Sequence, residues 1–194
     1  TSREVNESKA TWSPDGNRIA FVSNTKEGSE IYMYWVLTGQ IAKLSQLEMS
    51  PGNITWSPDG KLIAFTMFKS EKLPVVIKMP QKPKGANWAK PARITNRLKH
   101  EADGRGYLKR GFTHIYTIPS QGGTPEQITS GNYNHTGTLS FSPDSKSIYF
   151  SANRVEDWEY DFRNSEVYNV DIYTKLIKVL TSQKGPDFSP KVSP

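Results

Sequence analysis

Apolar positions in this chain fall in short runs rich in β-branched and aromatic residues, each bounded by turn residues. Asn17-Arg18-Ile19-Ala20-Phe21 and Lys61-Leu62-Ile63-Ala64-Phe65 are nearly the same run, and Lys146-Ser147-Ile148-Tyr149-Phe150 is a third copy. Each follows a polar turn: Trp12-Ser13-Pro14-Asp15-Gly16, Trp56-Ser57-Pro58-Asp59-Gly60 and Phe141-Ser142-Pro143-Asp144-Ser145. The first two turns are 44 residues apart, and Asp59 to Asp144 spans 85, about two such periods. A degenerate Asp103-Gly104 falls midway, and Phe188-Ser189-Pro190 begins what reads as a further copy. After each run comes a second apolar segment: Glu30 to Tyr34, Val75 to Met79, His114 to Ile118 and Glu166 to Val170. A short third segment closes each unit: Ala42 to Ser45, Ala92 to Thr95, Glu126 to Thr129 and Lys178 to Thr181.

Counting the strand that enters each turn, a unit holds four strands, A to D, and four short strands in a repeat of this length make one propeller blade. The pattern therefore predicts an all-β chain, a β-propeller built of four-stranded antiparallel blades. The predicted blades lie at 10–54, 54–97, 98–138 and 139–185, with the start of a further blade at 186–194. A propeller closes its ring to protect the edges of its first and last blades, so about four blades read as an incomplete ring, a fragment of a larger propeller, with self-association through open blade edges expected.

The turn residues fit this order. Proline presets φ, aspartate bonds back to nearby backbone and glycine accepts φ > 0, so Ser-Pro-Asp-Gly links A to B as a tight hairpin. Ser145, in place of glycine, makes the last such turn less comfortable. Trp12, Trp56 and Phe141 are the large residues expected to bury between neighbouring blades.

Composition narrows the picture. The 194 residues contain no cysteine, which excludes disulfides and thiolate metal sites and fits a cytoplasmic, periplasmic or secreted bacterial protein equally well. No apolar stretch has the length of a membrane helix, so no membrane insertion is expected. The net charge of +6 is concentrated: residues 69–110 hold 12 Lys/Arg against 3 Asp/Glu. Only Trp88 interleaves with the central lysines, so the segment reads as solvated loop lysines and not as a nucleic-acid surface.

The repeated Trp-Ser-Pro-Asp-Gly-Xaa-Xaa-Ile-Ala-Phe run, the Ile-Tyr strand and the closing Leu/Ile-Thr resemble the TolB-type propeller repeat. Residues 92–153 narrow this. Asp103-Gly104-Arg105-Gly106-Tyr107, His114 to Ile118, Gly122-Gly123, Glu126 to Gly131 and Phe141 to Asp144 occur in the order seen in acylaminoacyl-peptidase-like members of the prolyl oligopeptidase family. That resemblance implies a non-catalytic propeller that gates the access of short peptides to a C-terminal α/β-hydrolase domain of the same parent protein, a domain absent from this chain. It implies a serine peptidase as the parent. The alternatives are a TolB-like scaffold for protein–protein interaction in the bacterial envelope, and a propeller enzyme of another kind such as a polysaccharide lyase.

No Gly-Xaa-Ser-Xaa-Gly elbow occurs in the 194 residues, so no catalytic residue is assigned. His114 opens a C strand, while His100 and His135 lie in connections without a motif; no metal spacing or phosphate loop suggests a cofactor. The candidate binding residues lie in the loop 153–165: Glu156, Asp157, Glu159 and Asp161 surround Trp158 and Tyr160. Carboxylates with aromatic faces suit a cation, and in an aminopeptidase relative such a group could hold a substrate's free amino terminus. The plainer reading, which the loop's composition favours, is a solvated turn whose carboxylates pair with Arg154, Arg163 or the basic segment.

Overall fold

Period-two alternation in a strand sends successive side chains to opposite faces, and here both faces are apolar, so each sheet needs a neighbour on either side. The computed structural model describes residues 5–72, 80–89 and 95–193. Among these, β1 (Asn6–Trp12), β2 (Arg18–Thr25), β3 (Gly28–Trp35) and β4 (Ile41–Lys43) form one antiparallel sheet. The second starts with β5 (Pro51–Trp56) and β6 (Leu62–Ser70). The chain then leaves it, forms a two-stranded ribbon of β7 (Glu101–Ala102) and β8 (Gly106–Tyr107), and returns as β9 (Gly111–Pro119) and β10 (Glu126–Gln127). The third contains β11 (Ser140–Phe141), β12 (Ser147–Ala152), β13 (Glu166–Asp171) and β14 (Ile177–Val179). The fold is an all-β propeller arc of four-stranded antiparallel blades. The first and third blades share no strand contact, so the ring is open among the described residues.

The units expected at 54–97 and 98–138 are one blade. β6 pairs with β9 without a break from Leu62 opposite Pro119 to Ser70 opposite Gly111. The strands assigned to a separate third blade are thus C and D of the second, and residues 71–110 are an insertion between B and C. Asp103-Gly104 is a hairpin tip as expected, with Gly104 at φ 72°, but it turns the short β7–β8 ribbon. The segments Val75 to Met79 and Ala92 to Ile94, expected as strands, lie outside the described residues. The segment 186–193 forms no strand and leaves Phe188 exposed; it is tied to blade 3 by Asp187, whose N–H donates to Ser165 O at 2.6 Å and whose carbonyl accepts the Ser165 hydroxyl at 3.0 Å, and by Val192 N–H to Ser140 Oγ, 3.2 Å.

The three A-to-B turns share one hydrogen-bond pattern. In the first, the Ser13 hydroxyl donates to Asp15 Oδ1 and accepts from Arg18 N–H at 2.9 Å, while Asn17 N–H donates to the same Asp15 oxygen. Ser57 with Asp59, and Ser142 with Asp144, repeat it. The fourth turn residue is left-handed in each: Gly16 and Gly60 at φ 69°, Ser145 at φ 61°. A non-glycine residue there is strained, but the Ser145 hydroxyl accepts Asp59 N–H across the blade boundary at 3.1 Å, an offset glycine could not supply.

Packing between blades makes the core. Ile63, Phe65 and Met67 of β6 face blade 1 with Tyr116 and Ile118 of β9, meeting Ala20, Ile31 and Met33. The alternate residues Ala64 and Ile115 face blade 3, meeting Ile148, Phe150, Tyr168 and Val170. A Phe–Tyr stack recurs in all three sheets, Phe21 on Tyr32, Phe65 on Tyr116 and Phe150 on Tyr168, with centroids 5.9, 5.7 and 5.6 Å apart. Trp56 closes the boundary between blades 1 and 2: its Nε1–H donates to Thr11 O at 3.2 Å and its ring carries the Arg18 guanidinium at 4.9 Å. Phe141 is likewise buried between blades 2 and 3. Trp12, at the same motif position, lies on the face turned from blade 2 and is 59% exposed against 7% for Trp56. The outer strands β4, β10 and β14 are only two or three residues long, and β4 and β14 carry Lys43 and Lys178, features that blunt an edge against further pairing.

Trp56→Ala is expected to cost roughly 3–5 kcal/mol in denaturant unfolding and Trp12→Ala under about 1 kcal/mol. Equal losses would contradict the assignment of Trp56 to a blade boundary.

Candidate functional site

Antiparallel order puts the B-to-C and D-to-A connections of every blade on one face. The 71–110 insertion, the 130–138 crossover and the 153–165 loop therefore gather at the same end of blades 2 and 3. The insertion is tied at its base by Arg97, whose guanidinium lies 4.1 Å over the Phe112 ring, donates to Gly111 O at 3.1 Å and pairs with Glu71 at 3.5 Å. Lys82 and Lys84, farther out, are exposed.

The acidic loop sits beside this base. Trp158 meets Phe112 edge-on with centroids 6.0 Å apart, so Phe112 contacts both Arg97 and Trp158. Asn153 Nδ2–H donates to Asp161 O, and Tyr160 N–H and Asp161 N–H both donate to Asp157 O, which winds the loop tightly. Glu156, Asp157 and Asp161 are exposed, and Glu159 is half-buried. Among the described residues none of these four carboxylates forms an ion pair, so the expected pairing with Arg154 or Arg163 does not occur. Arg163 lies over Phe162 instead, at 5.4 Å. Of the five candidate residues, the structure gives Trp158 an anchoring contact and shows the four carboxylates without an ion pair among the described residues.

Arg154 turns inward. It lies 4.7 Å from the Tyr133 ring and 5.8 Å from Tyr168, and its Nη1–H donates to His135 Nε2 at 2.7 Å. His135 Nδ1–H in turn donates to Thr113 O at 3.1 Å, which leaves Nε2 as the acceptor for Arg154. His135 is fully buried, with Phe150 at 5.3 Å and His114 at 5.4 Å between centroids. His114 is buried too, yet its side chain makes no hydrogen bond among the described residues, and its Nδ1 is shut from solvent without a partner. It lines an open cleft of about 200 Å³ with Lys69, Glu71, Gln127 and the backbone turn Ser130 to Asn132.

Reading the chain alone assigned the two histidines no role, because neither has a motif. The signal was in the repeat. Glu30 and Glu166 lie on the C strands of blades 1 and 3, each accepting a hydrogen bond from the hydroxyl of Ser45 or Thr181 at 2.6 and 2.5 Å. Those hydroxyls also accept the next backbone N–H, Ile31 and Val167. In blade 2, Thr129 accepts Ile115 N–H in the same way, but the residue before that N–H is His114 and not a glutamate. Lys69 and Arg154 likewise share a position, each four residues after the stacked Phe65 or Phe150. Among the described residues no group of three or more His, Asp or Glu is placed to hold a metal ion.

Burial pushes both rings well below the ordinary 6.5, His114 to about 4 and His135 to about 3, and the neighbouring Arg154 charge adds to both shifts. For His114, Lys69 acts in the same direction. Rings that are neutral when folded and free to protonate when unfolded make the unfolded chain bind more protons as the pH falls. Their contribution to stability is complete above about pH 6.5 and is lost toward the folded values near 4 and 3. Thermal unfolding should therefore show Tm falling from pH 7 to 4, with a shallower fall in His114→Gln. A flat profile in the native chain would contradict neutral burial of the pair.

Comparison with known proteins places this arrangement. The curated relative "Uncharacterized peptidase YuxL" of Bacillus subtilis is 28% identical over 158 residues, 80% of this chain. The chain spans 23% of that relative's length. Among solved structures, an acylaminoacyl peptidase of Pyrococcus horikoshii matches 91% of this chain with TM-score 0.62 at 14% identity, over 25% of its own chain. A putative TolB from Agrobacterium tumefaciens matches 98% with TM-score 0.60 at 20% identity, over 51% of its own. At these identities the structural likeness concerns the propeller fold. The family model for the dipeptidyl peptidase IV N-terminal region matches residues 86–194, which take in the end of the insertion, both histidines and the acidic loop. The chain belongs to the family of dipeptidyl peptidase IV N-terminal regions.

Proposed function

We propose that this chain is the non-catalytic propeller portion of a serine peptidase of the prolyl oligopeptidase family, gating the access of short peptides to an α/β-hydrolase domain outside the sequence. The observation that carries the reading is the clustering on one propeller face of the long B-to-C insertion and the acidic loop, the loop and the end of the insertion lying within the segment that matches the family. Binding loops held on a rigid scaffold suit a gate, because the blades hold the loop bases while the tips vary. The peptidase relative favours this reading over a TolB-like envelope scaffold, since the TolB likeness is one of fold.

In this reading Glu156, Asp157, Glu159 and Asp161 receive the free amino terminus of a peptide. Their lack of internal cation partners among the described residues supports it, because a carboxylate already in an ion pair would have to give up that partner first. Trp158, held edge-on to Phe112, sets the loop's position.

In the parent enzyme, Glu156→Gln combined with Glu159→Gln should raise KM for peptides with a free amino terminus about tenfold, the size of one charge-assisted contact of roughly 1.4 kcal/mol, while leaving N-acylated peptides within twofold. Equal effects on both substrates would count against an amine-binding loop. The chain by itself should not hydrolyse peptide p-nitroanilides, and turnover that co-purifies with it and survives denaturation and refolding would overturn the non-catalytic assignment.

A further inference from the structure

The His114 cleft has the features of a binding site that the gating role does not use. The ring presents a buried Nδ1 with no hydrogen-bond partner, and leaving a buried polar group unsatisfied costs about 1–3 kcal/mol. The residue that carries it also lines the cleft, where a ligand group could supply the missing partner. The cavity, about 200 Å³, suits a ligand of only a few heavy atoms.

Charge selects its sign. In blades 1 and 3 the equivalent residue is an internally bonded carboxylate, Glu30 or Glu166. Blade 2 replaces that negative group with an uncharged ring and adds Lys69 at the rim. Lys69 Nζ spends one of its three donors on Gln127 Oε1, at 2.7 Å, and Gln127 is held in turn by Thr129 O. Glu71, the one acid lining the cleft, is paired with Arg97. An anion thus meets an ammonium with donors to spare and an imidazole without a partner, while a metal cation would be repelled by the same lysine.

We propose that this cleft binds a carboxylate, held by Lys69 Nζ and the His114 ring. The assignment does not depend on the peptidase reading, since it rests on blade 2 alone. Two sources share the chemistry, a free small carboxylate and the C-terminus of a short peptide. The test uses the chain itself, with the His114 imidazole followed by NMR during titration with acetate, with N-acetyl-glycyl-glycine and with its C-terminal amide. Saturable shifts at His114 with the acid and none with the amide are expected. Acetate binding as tightly as the dipeptide identifies the free carboxylate as ligand, and a dipeptide at least tenfold tighter identifies the peptide terminus. Lys69→Met should weaken binding at least tenfold with the amide spectrum otherwise retained. His114→Glu, which restores the residue found in the other two blades and should fold for that reason, should abolish it. Absence of saturable shifts, equal binding of acid and amide, or undiminished binding by Lys69→Met overturns the proposal.

Discussion

Blade 2 must bury both of its faces, and that constraint governs the rest. A sheet with one wet face can stand at a surface; the strands Ile63-Ala64-Phe65-Thr66-Met67 and Ile115-Tyr116-Thr117-Ile118 have no wet face to offer. Alternation sends Phe65 and Tyr116 to one neighbour and Ala64 and Ile115 to the other, so the two apolar clusters are boundaries between blades and not interiors of them. Burying a side chain of this size is worth about 1.5–3 kcal/mol, and most of that gain here exists only because a second sheet is present. The recurring Phe–Tyr stack and the indole or phenyl ring ahead of each Ser-Pro-Asp turn are the residues that meet this demand, which is why Trp56 is buried and Trp12 exposed with identical local sequence.

Rigid boundaries of this kind free the ends of the strands for other work. The B-to-C connection of blade 2 can extend over some forty residues because β6 and β9 pair along their full length whatever joins them. Loop closure adds little further cost as length grows. The insertion, the crossover through His135 and the acidic loop are then brought together around Phe112, which contacts both Arg97 and Trp158. In the same neighbourhood the repeat departs from itself: a carboxylate satisfied by a hydroxyl in blades 1 and 3 becomes His114, and the half-buried cation Arg154 bonds to His135 where a carboxylate would be the usual partner. Departures from a repeat's own pattern mark places where packing alone does not choose the residue.

The strands and turns were legible because their signals are local. Pro14, Asp15 and Gly16 dictate a hairpin through their own φ preferences and side-chain bonds, and all three copies form it. The blade count was not legible in the same way. Asp103-Gly104 lies near the expected period and does make a hairpin, so spacing could not tell a blade's turn from a ribbon within an insertion. What decided it was the ladder between Leu62–Ser70 and Gly111–Pro119, a pairing of segments some forty residues apart that no local rule predicts. The acidic loop is read from composition and stands exposed, but its carboxylates do not take Arg154, which has a buried ring to bond and two tyrosine rings to lie against.

The sequence by itself determined the class of fold, the hairpin chemistry and which residues are large enough to seal a blade boundary, since each depends on a few adjacent residues. Only the tertiary structure decided which strands share a sheet, which of two identical tryptophans is buried, and that two histidines without a motif meet beneath a cleft. Those outcomes depend on what lies across a boundary from each residue, and the chain order of a repeat does not encode how far apart in sequence its spatial neighbours are.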